Sequence, residues 1–403
     1  MSCNLWTDCK KVPITELLSF IVDNRGKTVP TAPNGHKLIA TNCVTNNTLF
    51  PVYEKIRYLS EETYQTWFRA HPIPGDILFV CKGTPGRVCL VPDPIDFCIA
   101  QDMIALRADE TKIYPKFLFA VLRSREIQQQ IYNTNVGDVI PHFKKQFMDQ
   151  LLIPVPDRAV QEAIGDLYYT LSLKVEQNKK INDNLYAQAR AITNQWIVEN
   201  EDDYDLLPLE EIAAINPDTY SPKDEWEYVN YLDTSSIIDG CISDIQHIIP
   251  ASEKLPSRAR RIVAPNDVVF STVRPNQRHF GIISMPLPNM LASTGFAVIR
   301  SINPLVCNEL IYLCLTENAF IEKMQQLAEQ STSTFPSIKP SDLGVCEIPC
   351  PKDGSSSKLT ETLRNMFALV ATNQCENASL AELRDSLLPK LMSGEIDVSD
   401  IQL

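Results

Sequence analysis

Apolar residues recur at alternating intervals of four and three along two stretches of the chain. The first stretch, residues 157–200, contains no proline and a single internal glycine, Gly165. This spacing is the heptad pattern of helices that pair in a coiled coil. The first seam consists of Leu171, Val175, Asn178, Asn182, Leu185, Ala189, Ile192 and Trp196, and the second, 195 residues later, of Met366, Val370, Asn373, Asn377, Leu380, Arg384, Leu387 and Leu391. The pattern predicts two helices of about 36 residues, each roughly 50 Å long.

Two asparagines interrupt each apolar seam at matching positions, Asn178 and Asn182 in the first and Asn373 and Asn377 in the second. A buried asparagine lowers the stability of a coiled coil but fixes its register, because its amide needs a polar group opposite. An exposed helix face is the alternative for an isolated asparagine. Because the pair recurs, we predict that the helices form an antiparallel coiled coil and that these four residues set its register.

The remainder of the chain is repeated as well. Four short motifs recur in the same order, at offsets between 191 and 195 residues. They pair residues 12–17 with 207–212, residues 74–79 with 265–270, residues 104–107 with 297–300, and residues 153–156 with 348–351. Four ordered matches predict two copies of one unit of about 195 residues.

Each copy begins with about 150 residues that combine short apolar strands, such as residues 76–80 and 267–270, with a helical stretch at residues 115–132 or 309–329. Proline and glycine turns separate the strands. An Ile-Pro-X-Pro motif is expected to end this part, because proline cannot continue a ladder. The predicted fold class is α+β: two mixed α/β domains with an internal pseudo-twofold repeat, joined by two long helices that form an antiparallel coiled coil. The predicted boundaries are 1–156 for the first domain, 157–200 for the central helix, 201–351 for the second domain, and 352–403 for the C-terminal helix and tail.

The net charge of −13 is unevenly distributed. Residues 201–227 contain ten acidic residues against Lys223 alone, whereas residues 1–156 carry a net charge of +2 and residues 254–280 a net charge of +5. A large negative charge over the whole surface would disfavour a polyanionic partner. Because the excess acid lies in one segment, the total charge does not exclude nucleic acid.

Two loops that follow matching strands combine basic residues with proline and small or amide residues. Such a loop can enter a groove of DNA, where arginine or lysine pairs with guanine and asparagine or glutamine with adenine. A solvated basic turn is the alternative. The candidate DNA contacts in these loops are Lys82, Thr84 and Arg87 in the first copy and Arg274, Asn276, Gln277, Arg278 and His279 in the second. The basic stretch 254–280 adds Arg258, Arg260 and Arg261, which precede the second strand. Lys144 and Lys145, after residues 135–142, and the hydroxyl-rich residues 331–337 are candidates for phosphate contacts.

The twelve cysteines do not predict a metal site. The closest pair, Cys346 and Cys350, is four residues apart, and none of the five histidines lies near a cysteine pair, whereas structural zinc needs four clustered ligands. No apolar run approaches a membrane span, and none follows the charges at the N-terminus as in a signal peptide. Scattered thiols fit a reducing cytoplasm, which is the expected location.

Catalytic motifs are incomplete in this sequence. Gly26-Lys27-Thr28 lacks the earlier glycine of a phosphate loop, and no methyltransferase motif with two consecutive prolines occurs. Asp93 with Glu110 and Lys112 loosely matches a metal-dependent nuclease, but the second copy lacks this pattern. A self-contained nuclease and a scaffold for protein contacts therefore stay as alternatives to a noncatalytic DNA-binding protein.

The residues also resemble a known family. The run Pro154-Val155-Pro156-Asp157-Arg158-Ala159-Val160-Gln161 and the run from Leu387 to Ile396, which reads Leu-Leu-Pro-Lys-Leu-Met-Ser-Gly-Glu-Ile, are similar to the specificity subunit of type I restriction–modification enzymes. The resemblance covers essentially the full length: recognition domain, helix, recognition domain, helix.

The resemblance implies a noncatalytic subunit that recognises DNA. In this family each target-recognition domain reads one half of a bipartite double-stranded DNA target. The coiled coil sets the spacer and docks two methyltransferase (modification) subunits, and restriction (motor–nuclease) subunits join this core. S-adenosylmethionine, ATP and Mg²⁺ are then expected on the partner subunits, and no cofactor in this chain.

Overall fold

A computed structural model describes residues 4–24, 26, 28–134, 141–331 and 335–398. The chain divides into two compact units: unit 1 comprises Met1–Lys179 and Cys375–Leu403, and unit 2 comprises Lys180–Gln374. The two boundaries between the units, after Lys179 and after Gln374, both fall inside long helices. Each unit therefore contains a globular domain together with parts of both helices. None of the helices in the described ranges is long and apolar enough to cross a bilayer.

The globular part of unit 1 consists of short strands and helices that lead into a long helix. Its strands are β1 (Lys11–Pro13), β2 (Leu18–Val22), β3 (His36–Ile39), β4 (Arg57–Leu59), β5 (Ile77–Val80), β6 (Val88–Leu90), β7 (Phe97–Ile99), β8 (Met103–Ala108) and β9 (Leu152–Pro154). Its helices are α1 (Glu61–Thr66), α2 (Pro115–Leu122) and α3 (Arg125–Asn133), followed by α4 (Arg158–Glu199), which continues into unit 2.

Unit 2 repeats this succession with additional short strands. Its strands are β10 (Tyr204–Pro208), β11 (Ala213–Ile215), β12 (Val229–Leu232), β13 (Ile237–Ile238), β14 (Cys241–Ile242), β15 (Gln246–Ile248), β16 (Ala259–Ile262), β17 (Asp267–Ser271), β18 (Phe280–Ile283), β19 (Met290–Ser293), β20 (Phe296–Ser301) and β21 (Glu347–Pro351). Its helices are α5 (Leu209–Ile212), α6 (Asn308–Leu315), α7 (Asn318–Glu329) and α8 (Pro340–Gly344), followed by α9 (Ser357–Ser393), which continues into unit 1.

The sheets of the two units have corresponding strand orders. Unit 1 contains a four-stranded antiparallel sheet with the strand order β2-β8-β5-β6. It also contains a three-stranded sheet with the order β4-β3-β7, in which β3 and β7 are parallel. In unit 2 the orders are β11-β20-β17-β18 and β15-β12-β19-β16, again with one parallel pair, β12 and β19. The predicted α+β class is confirmed, because each unit combines these sheets with helices.

The Ile-Pro-X-Pro motifs end each globular part, because β9 stops at Pro154 and β21 at Pro351 and the long helices α4 and α9 follow. The first proline of each motif nevertheless lies inside a paired strand. β9 pairs with β1, where Pro154 lies opposite Lys11, and β21 pairs with β10, where Pro349 lies opposite Leu206. Both are two-stranded sheets, whose strands are all edges. Proline is tolerated at an edge because its missing N–H can face away from the partner strand.

Each helical stretch predicted at residues 115–132 and 309–329 is two helices rather than one. In unit 1, α2 ends at Leu122 and α3 begins at Arg125, and the Ser124 hydroxyl accepts a hydrogen bond from the Ile127 N–H. In unit 2, α6 and α7 are separated at Thr316 and Glu317. A continuous apolar periodicity hides such a break, because both helices bury one face on the same core.

The core of each unit includes residues of its long helices. In unit 1, Phe117 and Phe119 of α2 belong to one apolar cluster with Ile164 of α4 and Leu391 of α9. In unit 2, Leu310 of α6 belongs to a second apolar cluster, together with Ala189 of α4 and with Leu363 and Phe367 of α9. Full burial of a large apolar side chain contributes about 1.5–3 kcal/mol. Each globular part therefore shares its apolar core with the helix segments it contacts.

A buried arginine–aspartate pair recurs at equivalent positions and explains two of the repeated motifs. Arg107 donates from Nε and Nη2 to the two carboxylate oxygens of Asp76, at 2.9 and 3.0 Å, and Arg300 donates to Asp267 at 2.7 and 2.8 Å. Asp76 is 2% exposed and Asp267 is fully buried. Hydrogen bonding to Asp267 raises the pKa of Arg300. These pairs tie β8 to the residue just before β5, and β20 to the first residue of β17.

The seam asparagines of the two long helices contact one another within each unit. In unit 1 the Asn178 amide donates to Asn377 Oδ1 at 2.9 Å and to Glu376 Oε2 at 2.6 Å. In unit 2 the Asn373 amide donates to Asn182 Oδ1 at 2.8 Å. Residues further along α4 lie beside earlier residues of α9 in both units, for example Tyr186 beside Phe367. The helix segments are therefore antiparallel within each unit.

Candidate nucleic-acid interface

The loop after β17 in unit 2 is fixed by backbone hydrogen bonds at its base. The Thr272 N–H donates to Gly295 O at 2.8 Å, the Ile338 N–H to Thr272 O at 2.9 Å, and the Arg274 N–H to Pro336 O at 2.9 Å. The loop continues as a single 3₁₀ turn, Pro275–Gln277. These bonds place the basic residues beside the segment that contains residues 335–338.

The loop after β5 in unit 1 is fixed by the same three bonds. The Cys81 N–H donates to Asp102 O at 2.7 Å, the Phe143 N–H to Cys81 O at 2.7 Å, and the Gly83 N–H to Pro141 O at 3.0 Å. The structure thus brings together, in both units, the two segments that the sequence nominated separately: the basic loop and the loop before the final strand. Residues 135–140 and 332–334 of those segments lie outside the described residues.

Four of the candidate DNA contacts line one cleft of about 600 Å³ in unit 2. They are Arg258, Arg274, Gln277 and His279, and the ring of Phe335 forms part of the same wall. The Arg274 guanidinium lies over the Phe335 ring, with Cζ 4.7 Å from the ring centroid. The cleft is open, basic and bordered by an aromatic face, which suits a base edge and the phosphates beside it.

His279 presents a hydrogen-bond acceptor when its ring is neutral. Its Nδ1 lies 2.7 Å from Ile237 O. Since a carbonyl oxygen only accepts, Nδ1 carries the proton and Nε2 is left with its lone pair. His279, which lines the cleft, therefore has one acceptor nitrogen in this form.

The remaining candidates of unit 2 lie outside that lining. Arg278 donates to Asp239 Oδ1 at 2.6 Å and to Asn318 Oδ1 at 3.0 Å, so it braces the loop. Arg260 donates to Ser257 O at 3.3 Å. Arg261 lies 3.5 Å from Thr219 Oγ1, and burial lowers its pKa. Asn276 is exposed, and its N–H donates to Gln325 Oε1 at 3.3 Å.

In unit 1 the candidates lie on or next to the equivalent loop. Lys82 and Arg87 are half-buried, Thr84 and Lys144 are exposed, and Lys82 forms a β-bridge with His142. Lys145 Nζ is 3.4 Å from Asp23 Oδ2, an ion pair near the surface. These side chains therefore lie on the loop after β5 or on the segment that is hydrogen-bonded to it.

The segment after β12 also lines the cleft and was missed by sequence reasoning. Asp233 accepts hydrogen bonds from the hydroxyls of Tyr231 and Ser235, both at 2.9 Å. Burial opposes ionisation of Asp233, but these bonds outweigh it and lower the pKa of the carboxyl. Thr234 Oγ1 is buried without a hydrogen-bond partner among the described residues. The Asp-Thr-Ser sequence directly after a buried strand was the available signal.

Of the three residues of the nuclease alternative, the two acidic ones share a cleft and the lysine does not line it. Asp93 and Glu110 both line a cleft of about 310 Å³ in unit 1, together with Lys116. Lys112 instead forms an ion pair with Asp109 at 3.1 Å. Within the described ranges there is no group of three or more histidine, cysteine or acidic side chains that could hold a metal ion. No disulfide joins the cysteines of those ranges, and burial raises the pKa of the Cys98 thiol to about 12.

Comparison with known proteins relates the chain to one family. Residues 8–187 match the type I restriction modification DNA specificity domain. The HindI specificity subunit of a type I restriction enzyme of Haemophilus influenzae is 21% identical over 401 residues, covering 80% of this chain and 86% of the relative. The MjaIX specificity subunit of Methanocaldococcus jannaschii is 21% identical over 350 residues, covering 81% and 79%.

The fold is shared with a solved structure. The S subunit of a type I restriction–modification system from M. genitalium superposes with a TM-score of 0.55 at 17% identity, covering 95% of both chains. The similarity therefore extends over both units, beyond the residues that match the domain family.

Proposed function

From the match of residues 8–187 and the two similar specificity subunits, we propose that the chain is a specificity subunit of a type I restriction–modification enzyme and that each of its units reads one half of a bipartite double-stranded DNA target. Its role is the recognition of a DNA sequence. The observation that carries the proposal is the basic loop held by the same three backbone hydrogen bonds in unit 1 and in unit 2. Two copies of one reading loop with different side chains suit a target with two different half-sites.

The chemistry of the complex is assigned to partner subunits. We infer that two methyltransferase subunits dock on the long helices and that restriction subunits join them, with S-adenosylmethionine, ATP and Mg²⁺ bound by those partners. This chain then contributes recognition and spacing. The continuous helix α4, Arg158–Glu199, supports a spacer role because it connects the two globular parts without interruption.

The proposal is tested by expressing the chain with its methyltransferase subunit and mapping the methylated bases of the host genome. We expect a motif of two short half-sites separated by a spacer of constant length. Binding of that duplex is then measured for Lys82→Ala and for Arg258→Ala. Each substitution should weaken binding by about tenfold, the usual scale for losing one base contact, and should relax the sequence requirement in one half-site only.

The matched control is Lys55→Ala, which removes an exposed lysine of unit 1 that is not part of the loop. It should leave both half-sites unchanged. Equal losses on cognate and unrelated duplexes would make the two basic residues phosphate contacts. A methylation map with a continuous motif, or with none, contradicts the proposed function.

A further inference from the structure

Arg274 occupies a backbone conformation that favours glycine. Its φ is +48°, in the left-handed region, and its counterpart in unit 1 is Gly83 with φ +88°. The two are equivalent because each N–H donates to the carbonyl of a proline, Pro336 or Pro141. A left-handed conformation is unfavourable for a residue with a Cβ and free of strain for glycine. Glycine at this position would remove the backbone strain, so the stability of the loop does not explain why the residue is arginine.

The side chain of Arg274 is oriented for use in the cleft. Its guanidinium lies 4.7 Å from the centroid of Phe335, whose side chain is 53% exposed. Contact with an aromatic face restricts the plane of the guanidinium and leaves its donor edge available. No carboxylate among the described residues forms an ion pair with Arg274, whereas Arg278 is 2.6 Å from Asp239. Of these two loop arginines, Arg278 supports the loop and Arg274 faces the cleft.

The other groups of the cleft complete a pattern for one kind of base pair. Guanine presents two adjacent acceptors, N7 and O6, in the major groove, and its paired cytosine presents an amino donor. An arginine matches the first pattern with two donors. An acceptor on the same wall, such as His279 Nε2, matches the second.

Building on the proposed function, we propose that Arg274 reads a guanine in the half-site bound by unit 2, by two hydrogen bonds to N7 and O6. Arg258 and Gln277 line the same cleft and are left to contact the neighbouring base or phosphate. The left-handed conformation of Arg274 is the energetic cost of presenting this side chain to the cleft.

The experiment uses the chain in complex with its methyltransferase subunit and the duplex defined by methylation mapping. Each guanine of the half-site bound by unit 2 is replaced in turn by 7-deazaguanine, which lacks the N7 acceptor. We expect one position at which this replacement weakens binding of the unsubstituted protein by about tenfold. Arg274→Gly should weaken binding of the natural duplex to a similar extent and should be insensitive to 7-deazaguanine at that position.

Thermal unfolding separates recognition from folding. Because glycine relieves the left-handed strain, Arg274→Gly should unfold at the same or a higher temperature than the unsubstituted protein. The control is Lys55→Gly, which also removes a cation from a left-handed residue, with φ +49°, but in unit 1. It should keep the full sensitivity to 7-deazaguanine.

The possible failures are distinguishable. If Arg274→Gly remains as sensitive to 7-deazaguanine as the unsubstituted protein, Arg274 does not read guanine. If it loses equal affinity for cognate and unrelated duplexes, it binds phosphate. If the unsubstituted protein shows no preference for any half-site, the proposed function fails instead.

Discussion

At the scale of single residues, His71 of unit 1 has an unusual environment. Its ring stacks on Tyr64 at 4.3 Å and contacts Phe68 at 5.0 Å. The ring of His36 also stacks on Tyr64, with the ring centroids 4.0 Å apart, and its Nε2 lies 2.6 Å from Glu61 Oε2. His71 Nδ1 is buried without a hydrogen-bond partner within the described ranges, and burial lowers the pKa of this histidine.

This environment predicts a dependence of stability on pH. When the folded-state pKa of a histidine is lowered, the unfolded chain takes up the proton first as the pH falls. The contribution of His71 is therefore fully present above its unfolded pKa of about 6.5 and declines as the pH falls below that value. We expect the unfolding temperature of the protein to fall on going from about pH 7.5 to about pH 5.5, and His71→Phe to reduce this slope.

The control for this prediction is His247→Gln in unit 2, where Nδ1 of His247 lies 3.0 Å from Asn230 Oδ1. This variant should keep the slope of the unsubstituted protein. A His71→Phe protein with an unchanged slope would show that other groups cause the dependence.

At the scale of elements, the paired asparagines distinguish the long helices from an ordinary amphipathic pair. Asn182 and Asn373 are almost fully buried and hydrogen-bonded to each other. A leucine pair would bury more apolar surface, so these positions are not optimised for stability. The arrangement supports a role in fixing the register, because a shift along the helices leaves both amides opposite apolar side chains.

The register role predicts opposite effects for single and double substitutions. Asn182→Leu alone leaves the Asn373 amide without its acceptor and should destabilise unit 2 by roughly 1–3 kcal/mol. Asn182→Leu with Asn373→Leu should recover this loss or exceed the original stability, as measured by chemical denaturation. If the single substitution is already stabilising, the asparagine contact is not a determinant of the pairing.

At the scale of the whole molecule, the acidic segment and the arginine-lined cleft lie in the same unit, and that unit is a continuous part of the chain. Most of the excess acid lies in residues 201–227 of unit 2, while the cleft of that unit is lined by arginines. Part of this acidic segment is tied down: Asp205 pairs with Lys352 at 3.4 Å. Unit 2 is also one uninterrupted piece of chain, Lys180–Gln374.

The connectivity predicts that residues 180–374 fold as an isolated fragment. The apolar cluster around Leu310 draws all of its members from this range, including Ala189, Leu363 and Phe367 of the two helix segments. We expect the purified fragment to unfold cooperatively on heating, as followed by circular dichroism. A fragment cut at residue 201, which lacks the α4 segment, is the control and should be less stable. A fragment of residues 180–374 without a cooperative transition contradicts the prediction.

The sequence by itself determined the elements with a strong period and pointed to the family that the comparisons also match. The heptad spacing predicted two long helices and the structure contains α4 and α9, because a long amphipathic pattern leaves a helix few alternatives. The ordered motifs predicted two copies, and the buried pairs Arg107–Asp76 and Arg300–Asp267 show why those motifs are repeated. The candidate loops were nominated from local charge alone, which is visible in any sequence.

Only the tertiary structure decided which candidates share a site. Arg258, Arg274 and His279 meet in one cleft because backbone hydrogen bonds join distant segments, among them Arg274 N–H to Pro336 O and Thr294 N–H to Arg258 O. Such bonds leave no sequence pattern. The structure also paired Arg278 with Asp239, 39 residues away, and carried Pro154 and Pro349 into edge strands. Local patterns report what one segment prefers, whereas a recognition site depends on which segments the packed core places side by side.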